Sequence, residues 1–135
     1  MDNSSERSSY VGQKVFIGID VHKRTYSVVA VMEGEVLKKW RTSALPQELV
    51  QQLQRFFSGA ELYTVYEAGF SGFVLHRVLE KAGIKNLVVN PGSIEVAVHN
   101  RVKTDKRDAL KMASLLSVGR LQGIRIPTEQ EENEL

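Results

Sequence analysis

The spacing of apolar and polar positions changes once along this chain, and the change separates a strand-rich first third from a mixed remainder. Val15 to Asp20 (VFIGID) is a nearly continuous apolar, β-branched run, the pattern of a strand buried on both faces. Tyr26 to Met32 repeats it. Glu33-Gly34-Glu35 is a short turn, and Val36 to Thr42 returns as a third strand. There Val36, Lys38 and Trp40 fall on one side and Leu37, Lys39 and Arg41 on the other, a polar mixture that suits a sheet edge. From Pro46 the period becomes helical: Leu49, Val50, Leu53, Phe56 and Phe57 form one stripe, closed by Gly59. Leu62 to Glu67 is a fourth strand. Ser71 is placed to cap a helix over Gly72–Ala82, with Gly83 as its stop. Asn86 to Asn90 reads as a fifth strand, and Pro91 begins a short helical stretch. Thr104 is placed to cap a last helix from Asp105 to Val118, stopped by Gly119.

The resulting order, β-β-β-α-β-α-β-α-α, joins an antiparallel meander to strand–helix–strand crossovers. It predicts an α/β fold with a mixed five-stranded sheet and helices on both faces. The ribonuclease H-like architecture has this order, with its first and fourth strands adjacent at the centre; that adjacency is expected by analogy. The expected division is a disordered polar arm over residues 1–13, one folded domain over 14–127 and a solvated acidic tail over 128–135. A chain of 135 residues is long enough for one substantial core.

Composition narrows the function classes. No apolar run approaches the length of a membrane span, and there is no signal-peptide pattern, so no membrane partner is expected. The absence of cysteine excludes disulfides and thiolate metal sites and allows an intracellular setting. The net charge of +2 conceals an uneven distribution: residues 14–127 carry 17 Lys/Arg against 10 Asp/Glu, and four glutamates in the tail TEQEENEL offset much of that excess. A basic body that also holds clustered acids suits a polyanionic partner together with metal.

The candidate chemistry lies in four carboxylates. Asp20 and Glu67 each end an apolar strand, and Asp105 and Asp108 open the last predicted helix. If the first and fourth strands are neighbours, Asp20 and Glu67 meet at one edge of the sheet, about 4.8 Å apart in backbone terms. Asp105 and Asp108, three residues apart, share a helix face that continues as Ala109, Met112, Ala113 and Leu116. Four clustered carboxylates repel one another unless cations are present, and two divalent ions would balance them. Oxygen-only ligands favour Mg²⁺ or Mn²⁺ over zinc. Plainer roles stand beside this one. Asp20 can begin a turn, Glu67 can pair with a buried base, and acids at a helix N-terminus are favourable without any metal.

Basic residues surround the acids in sequence. His22, Lys23 and Arg24 follow Asp20, and Arg101, Lys103, Lys106 and Arg107 surround Asp105 and Asp108. They suit contacts to a nucleic-acid backbone, and equally a solvated surface. His76 and His99 have no partner pattern and read as structural. Phe70 and Tyr10 are candidates for stacking on bases, whereas Tyr66 and Phe73 suit the core better.

The segments GIDVHK, YEAG, VVNP and KTDKRDA, in this order, resemble the N-terminal domain of the DEDD transposases, the insertion-sequence recombinases of the one-ten and eleven-eleven groups to which the pilin-gene invertases are similar. The resemblance covers residues 14 to 127. It implies a RuvC-like fold and a D-E-D-D metal site at Asp20, Glu67, Asp105 and Asp108. It also implies DNA strand cleavage and rejoining in a bacterial or archaeal cytoplasm, a homo-oligomer, and in many members a structured bridge RNA. Family members carry a further domain with a serine nucleophile, which this sequence does not include. Alternatives are a truncated nucleic-acid-binding or dimerisation module without catalysis, and a Holliday-junction resolvase-like nuclease. An actin-like ATPase would need a small glycine-rich turn where His22-Lys23-Arg24 stands.

Overall fold

The structure, a computed structural model, describes residues 9–92, 94 and 109–134. Five strands form one sheet: β1 (Lys14–Val21), β2 (Thr25–Met32), β3 (Glu35–Ser43), β4 (Glu61–Glu67) and β5 (Lys85–Val89). Their spatial order is β3-β2-β1-β4-β5. β1, β2 and β3 pair antiparallel, while β4 is parallel to β1 and β5 is parallel to β4. The expected meander, the expected edge position of the third strand and the expected neighbourhood of the first and fourth are all present. The β2–β3 turn holds Glu33 at φ 53° and Gly34 at φ 84°, the left-handed pair that lets two antiparallel strands reverse with matched twist.

Two faces are built differently. Helix α1 (Pro46–Phe56) follows a bare Leu45 cap with Pro46 at its first position and buries Leu49, Val50 and Leu53. Helix α2 (Val74–Lys81) buries Leu75 and Leu79. Both pack on the face formed by Val15, Ile17, Ile19, Val28, Tyr66 and Val88, and together they make the large apolar core. Trp40 of β3 closes that core by an edge contact with Phe56 (5.2 Å between centroids), and its indole N–H donates to Gln52 Oε1 at 2.9 Å. Helix α3 (Ala109–Ser117) covers the opposite face, lying across β1 and β2 and reaching β4.

Two features depart from the sequence expectation. Ser71 does not cap α2; the cap position is Phe73, with no side-chain capping bond. The helix starts later because the Tyr66 hydroxyl, rising from β4, accepts the His76 amide (3.2 Å) and donates to the Gly72 carbonyl (3.0 Å), satisfying a helix-start donor from the sheet. Tyr10 falls in the stretch expected as an arm, yet it is buried against Phe57, its amide donating to the Ser58 carbonyl at 2.7 Å. It is therefore a packing residue and not a stacking one. Thr128 forms a reciprocal capping box with Glu131 at the start of a short helix, α4 (Glu129–Asn133). Arg77 of α2 ties this end down by ion-pairing with Glu132 and donating to the Pro127 carbonyl. The expected cap Thr104 and the helical stretch from Pro91 onward lie outside the described residues, apart from Pro91, Gly92 and the buried Ile94.

Candidate metal and nucleic-acid site

The site is positioned by strand register. β1 and β4 pair as Lys14↔Glu61 through Gly18↔Val65, and the same register carried two residues further sets Asp20 beside Glu67. Alternation puts Asp20 on the face of Gly18 and Glu67 on the face of Val65. Val65 packs with Met112 of α3, so both acids belong to the α3 side of the sheet. Asp20, Glu67, Gly69, Phe70, Ser71 and Met112 line a cleft of about 200 Å³ at that edge. Larger concavities lie elsewhere among the described residues, one beside Glu61 and Lys85 and one beside Arg77 and Glu129, and neither of these brings together two acids from adjacent strand ends.

Within the cleft the Glu67 Oε2 oxygen is buried, and the Asp20 side chain is about one-third exposed. His22 Nε2 lies 3.3 Å from Asp20 Oδ2, and the His22 amide donates to Thr25 O at 2.9 Å, closing the tight β1–β2 turn. His22, Lys23 and Arg24 are all exposed on that turn. Phe70 is 74 % exposed at the cleft rim.

The approach of α3 depends on Gly18. A Cβ there would stand 2.1 Å from the Ala109 carbonyl oxygen and 2.9 Å from the Ala113 amide. Ala109 and Ala113 complete the fit against Val29 and Val31. An isolated glycine inside a strand pattern signals such a close backbone approach, and this is the feature of the site that sequence reasoning passed over.

Of the residues expected at the site, the structure brings together Asp20, Glu67 and His22, with Lys23 and Arg24 beside them. Asp105, Asp108, Arg101, Lys103, Lys106 and Arg107 lie outside the described residues. Among the described residues no three His, Cys, Asp or Glu side chains gather as a metal-ligand set. The donors present, two carboxylates converging on one cleft, fit a hard divalent cation and do not suit a soft one.

Residues 17–133 match the transposase family of DEDD, IS110 type. Among curated proteins, the transposase for insertion sequence element IS1533 of Leptospira borgpetersenii is 32 % identical over 125 residues, covering 89 % of this chain and 36 % of the relative. A Sinorhizobium fredii sequence assigned as a transposase, y4qE, is 34 % identical over 125 residues, covering 89 % of this chain and 32 % of the relative. The chain thus spans about a third of the length of these relatives. Among solved structures, Thermus thermophilus RuvC superposes with a TM-score of 0.53 at 14 % identity over 82 % of this chain and 99 % of that one. The same protein in complex with Holliday junction substrate gives 0.52 at 15 % identity, with the same coverage. The fold is RuvC-like, within the ribonuclease H-like architecture. Among the described residues no helix is long and apolar enough to cross a membrane.

Proposed function

Because the chain belongs to the DEDD transposase family of the IS110 type, we propose that the cleft between β1 and β4 is half of a metal-dependent centre that cuts DNA phosphodiesters during transposition. The observation that carries this is the parallel β1–β4 register, which sets Asp20 beside Glu67 in one cleft although 46 residues separate them in sequence. Asp105 and Asp108 are the other half in this reading. What supports their inclusion is the seating of Ala109 on Gly18, two residues from Asp20.

Asp20, Glu67, Asp105 and Asp108 would hold Mg²⁺ or Mn²⁺, two ions at full occupancy. These would supply the positive charge that activates an attacking oxygen and stabilises a leaving one. The chain's own groups do the rest. His22, 3.3 Å from Asp20, orients that carboxylate and discourages its rotation. Lys23 and Arg24 on the turn, with Arg101, Lys103, Lys106 and Arg107, attract and register the phosphate backbone. Phe70 at the rim offers a face on which a base can stack. Recombination by a longer protein, guidance by a bridge RNA and homo-oligomeric assembly belong to the same proposal, drawn from the family.

The test is nicking of supercoiled or branched DNA by this chain with Mn²⁺. Cleavage should fall on the order of a hundredfold or more in Asp20→Asn and Glu67→Gln. Absence of cleavage with intact nucleic-acid binding would favour a binding module.

A further inference from the structure

The edge strand beside the acids carries a second set of charges on the same face. Strand register runs Arg41↔Ser27↔Asp20 across β3, β2 and β1, and Lys39↔Val29↔Gly18 one step back. Their strand neighbours Lys38 and Trp40 turn the other way: Lys38 Nζ lies 4.5 Å from the Phe56 ring centre and Trp40 packs on Phe56. Alternation therefore turns Lys39 and Arg41 toward the α3 side, and both are exposed. Arg41 stands two strands from Asp20, about 10 Å. Lys39 and Arg41 are about 7 Å apart along β3.

The ledge is continuous with the turn that follows Asp20. The Ala44 amide donates to the Arg24 carbonyl at 3.0 Å, holding the end of β3 against the turn of His22, Lys23 and Arg24. Among the described residues none of Lys23, Arg24, Lys39 or Arg41 pairs with a carboxylate, whereas Arg77 and Arg125 do. The two edges of the sheet also differ. The outer edge of β5 receives the Ile124 amide on its Val88 carbonyl, while β3 is the other terminal strand.

We infer that Lys39 and Arg41 form a phosphate-binding ledge that leads a DNA strand across β3 and β2 to the acids. This rests on the reading of Asp20 and Glu67 as part of a DNA-cleaving centre and adds residues that reading does not contain. Arg41 supplies a planar fork that can hold one phosphate with two hydrogen bonds, and Lys39 a point charge for the next. Ser27, half-buried between Arg41 and Asp20, offers a hydroxyl to the backbone as it passes. The plainer role for charges on an edge strand is to prevent edge-to-edge pairing. That role predicts no change in DNA affinity when they are removed.

The experiment is fluorescence anisotropy of a labelled single-stranded DNA with the full chain across a salt series. The variants are Lys39→Gln, Arg41→Gln, their double and Lys38→Gln. The double variant should lose on the order of tenfold in affinity, and its log–log salt slope should be shallower by about 1.4. Each single variant should lose part of this, and Lys38→Gln, on the opposite face of the same strand, should bind as wild type. Circular dichroism melts confirm that the variants are folded. An unchanged slope in both singles and the double would overturn the ledge, as would an equal loss in Lys38→Gln or an effect seen with the same sequence as RNA but not as DNA. Asp20→Asn, assayed in parallel, separates the two readings. It should bind metal-free DNA at least as well as wild type while losing Mn²⁺-dependent cleavage. If its cleavage is unaffected, the acid site fails and so does the strand path leading to it. If only the ledge variants are silent, the acid site stands alone.

Discussion

The two faces of this sheet solve the same packing problem with opposite materials. On the α1–α2 face, large side chains fill the space: Leu49, Leu53, Tyr66 and Leu79 are all essentially inaccessible. On the α3 face Met112 and Leu115 pack with Val65, but the closest approach is made by Gly18, Ala109 and Ala113, where backbone meets backbone. Bulk separates a helix from its sheet by the depth of the side chains, whereas small residues let it come close. The close-packed face is the one that carries Asp20 and Glu67. The difference teaches that the bulkiest part of the core and the acid-bearing cleft lie on opposite faces, and that α3 is brought near the cleft by what the sheet omits.

The largest expected effect comes from removing that omission. Gly18→Ala puts a methyl group onto the Ala109 carbonyl and should cost about 3 kcal/mol, a loss on the order of 10 °C in melting temperature. Gly69→Ala, which lines the same cleft but has open space around its Cβ position, should melt near wild type. Equal melting of the two variants would erase the distinction between the faces.

A smaller effect is expected where the faces communicate. The Tyr66 hydroxyl is buried and bridges Gly72 and His76, and burial pushes its pKa up to about 12. Tyr66→Phe leaves the His76 amide and the Gly72 carbonyl without that partner and should cost about 1–2 kcal/mol in denaturant unfolding. Because Tyr66 anchors the turn that carries Gly69, Phe70 and Ser71, DNA cleavage should also fall, although the residue does not line the cleft.

The smallest effect is a pH dependence confined to the core face. His76 contacts Asn86 Nδ2 through Nδ1 at 2.9 Å; Thr64 donates to the Asn86 side-chain oxygen, and the Asn86 backbone amide donates to Glu80. Burial pushes the His76 pKa below the ordinary imidazole value, partly opposed by Glu80. The unfolded chain takes up a proton near pH 6.5, while folded His76 resists it until lower pH. Its contribution to stability is therefore present above pH 6.5 and is lost as pH falls through the folded value. Urea unfolding of His76→Gln between pH 5 and 8 should show a flatter profile than wild type over that window.

Much of this division was legible from residues alone. The five strands were marked by apolar, largely β-branched runs, and the first–fourth adjacency was expected only by analogy with the ribonuclease H-like order. Polar alternation identified β3 as an edge. The start of α2 was not legible, because its donor is met by Tyr66 from another element and no local pattern encodes that bond. The approach of α3 was legible only as a glycine out of place in a strand. The pairing of Lys39 and Arg41 with the acid face needed the β2–β3 register, which is set across a turn and a bulge near Ala30 and Val31. Asp20 and Glu67 were chosen for their chemistry, and the fold sets them in one cleft. The grouping of Asp105 and Asp108 with them remains a proposal.

Calorimetric Mn²⁺ titration of the chain and its carboxamide variants tests that grouping most directly. Asp20→Asn, Glu67→Gln, Asp105→Asn and Asp108→Asn should each weaken binding by on the order of tenfold or more, while Glu61→Gln, at the far end of β4, should not. The metal-free Asp20→Asn protein should be as stable as wild type or slightly more so, since carboxylate repulsion is relieved. Identical Mn²⁺ affinity across all five variants and wild type would contradict a shared carboxylate centre.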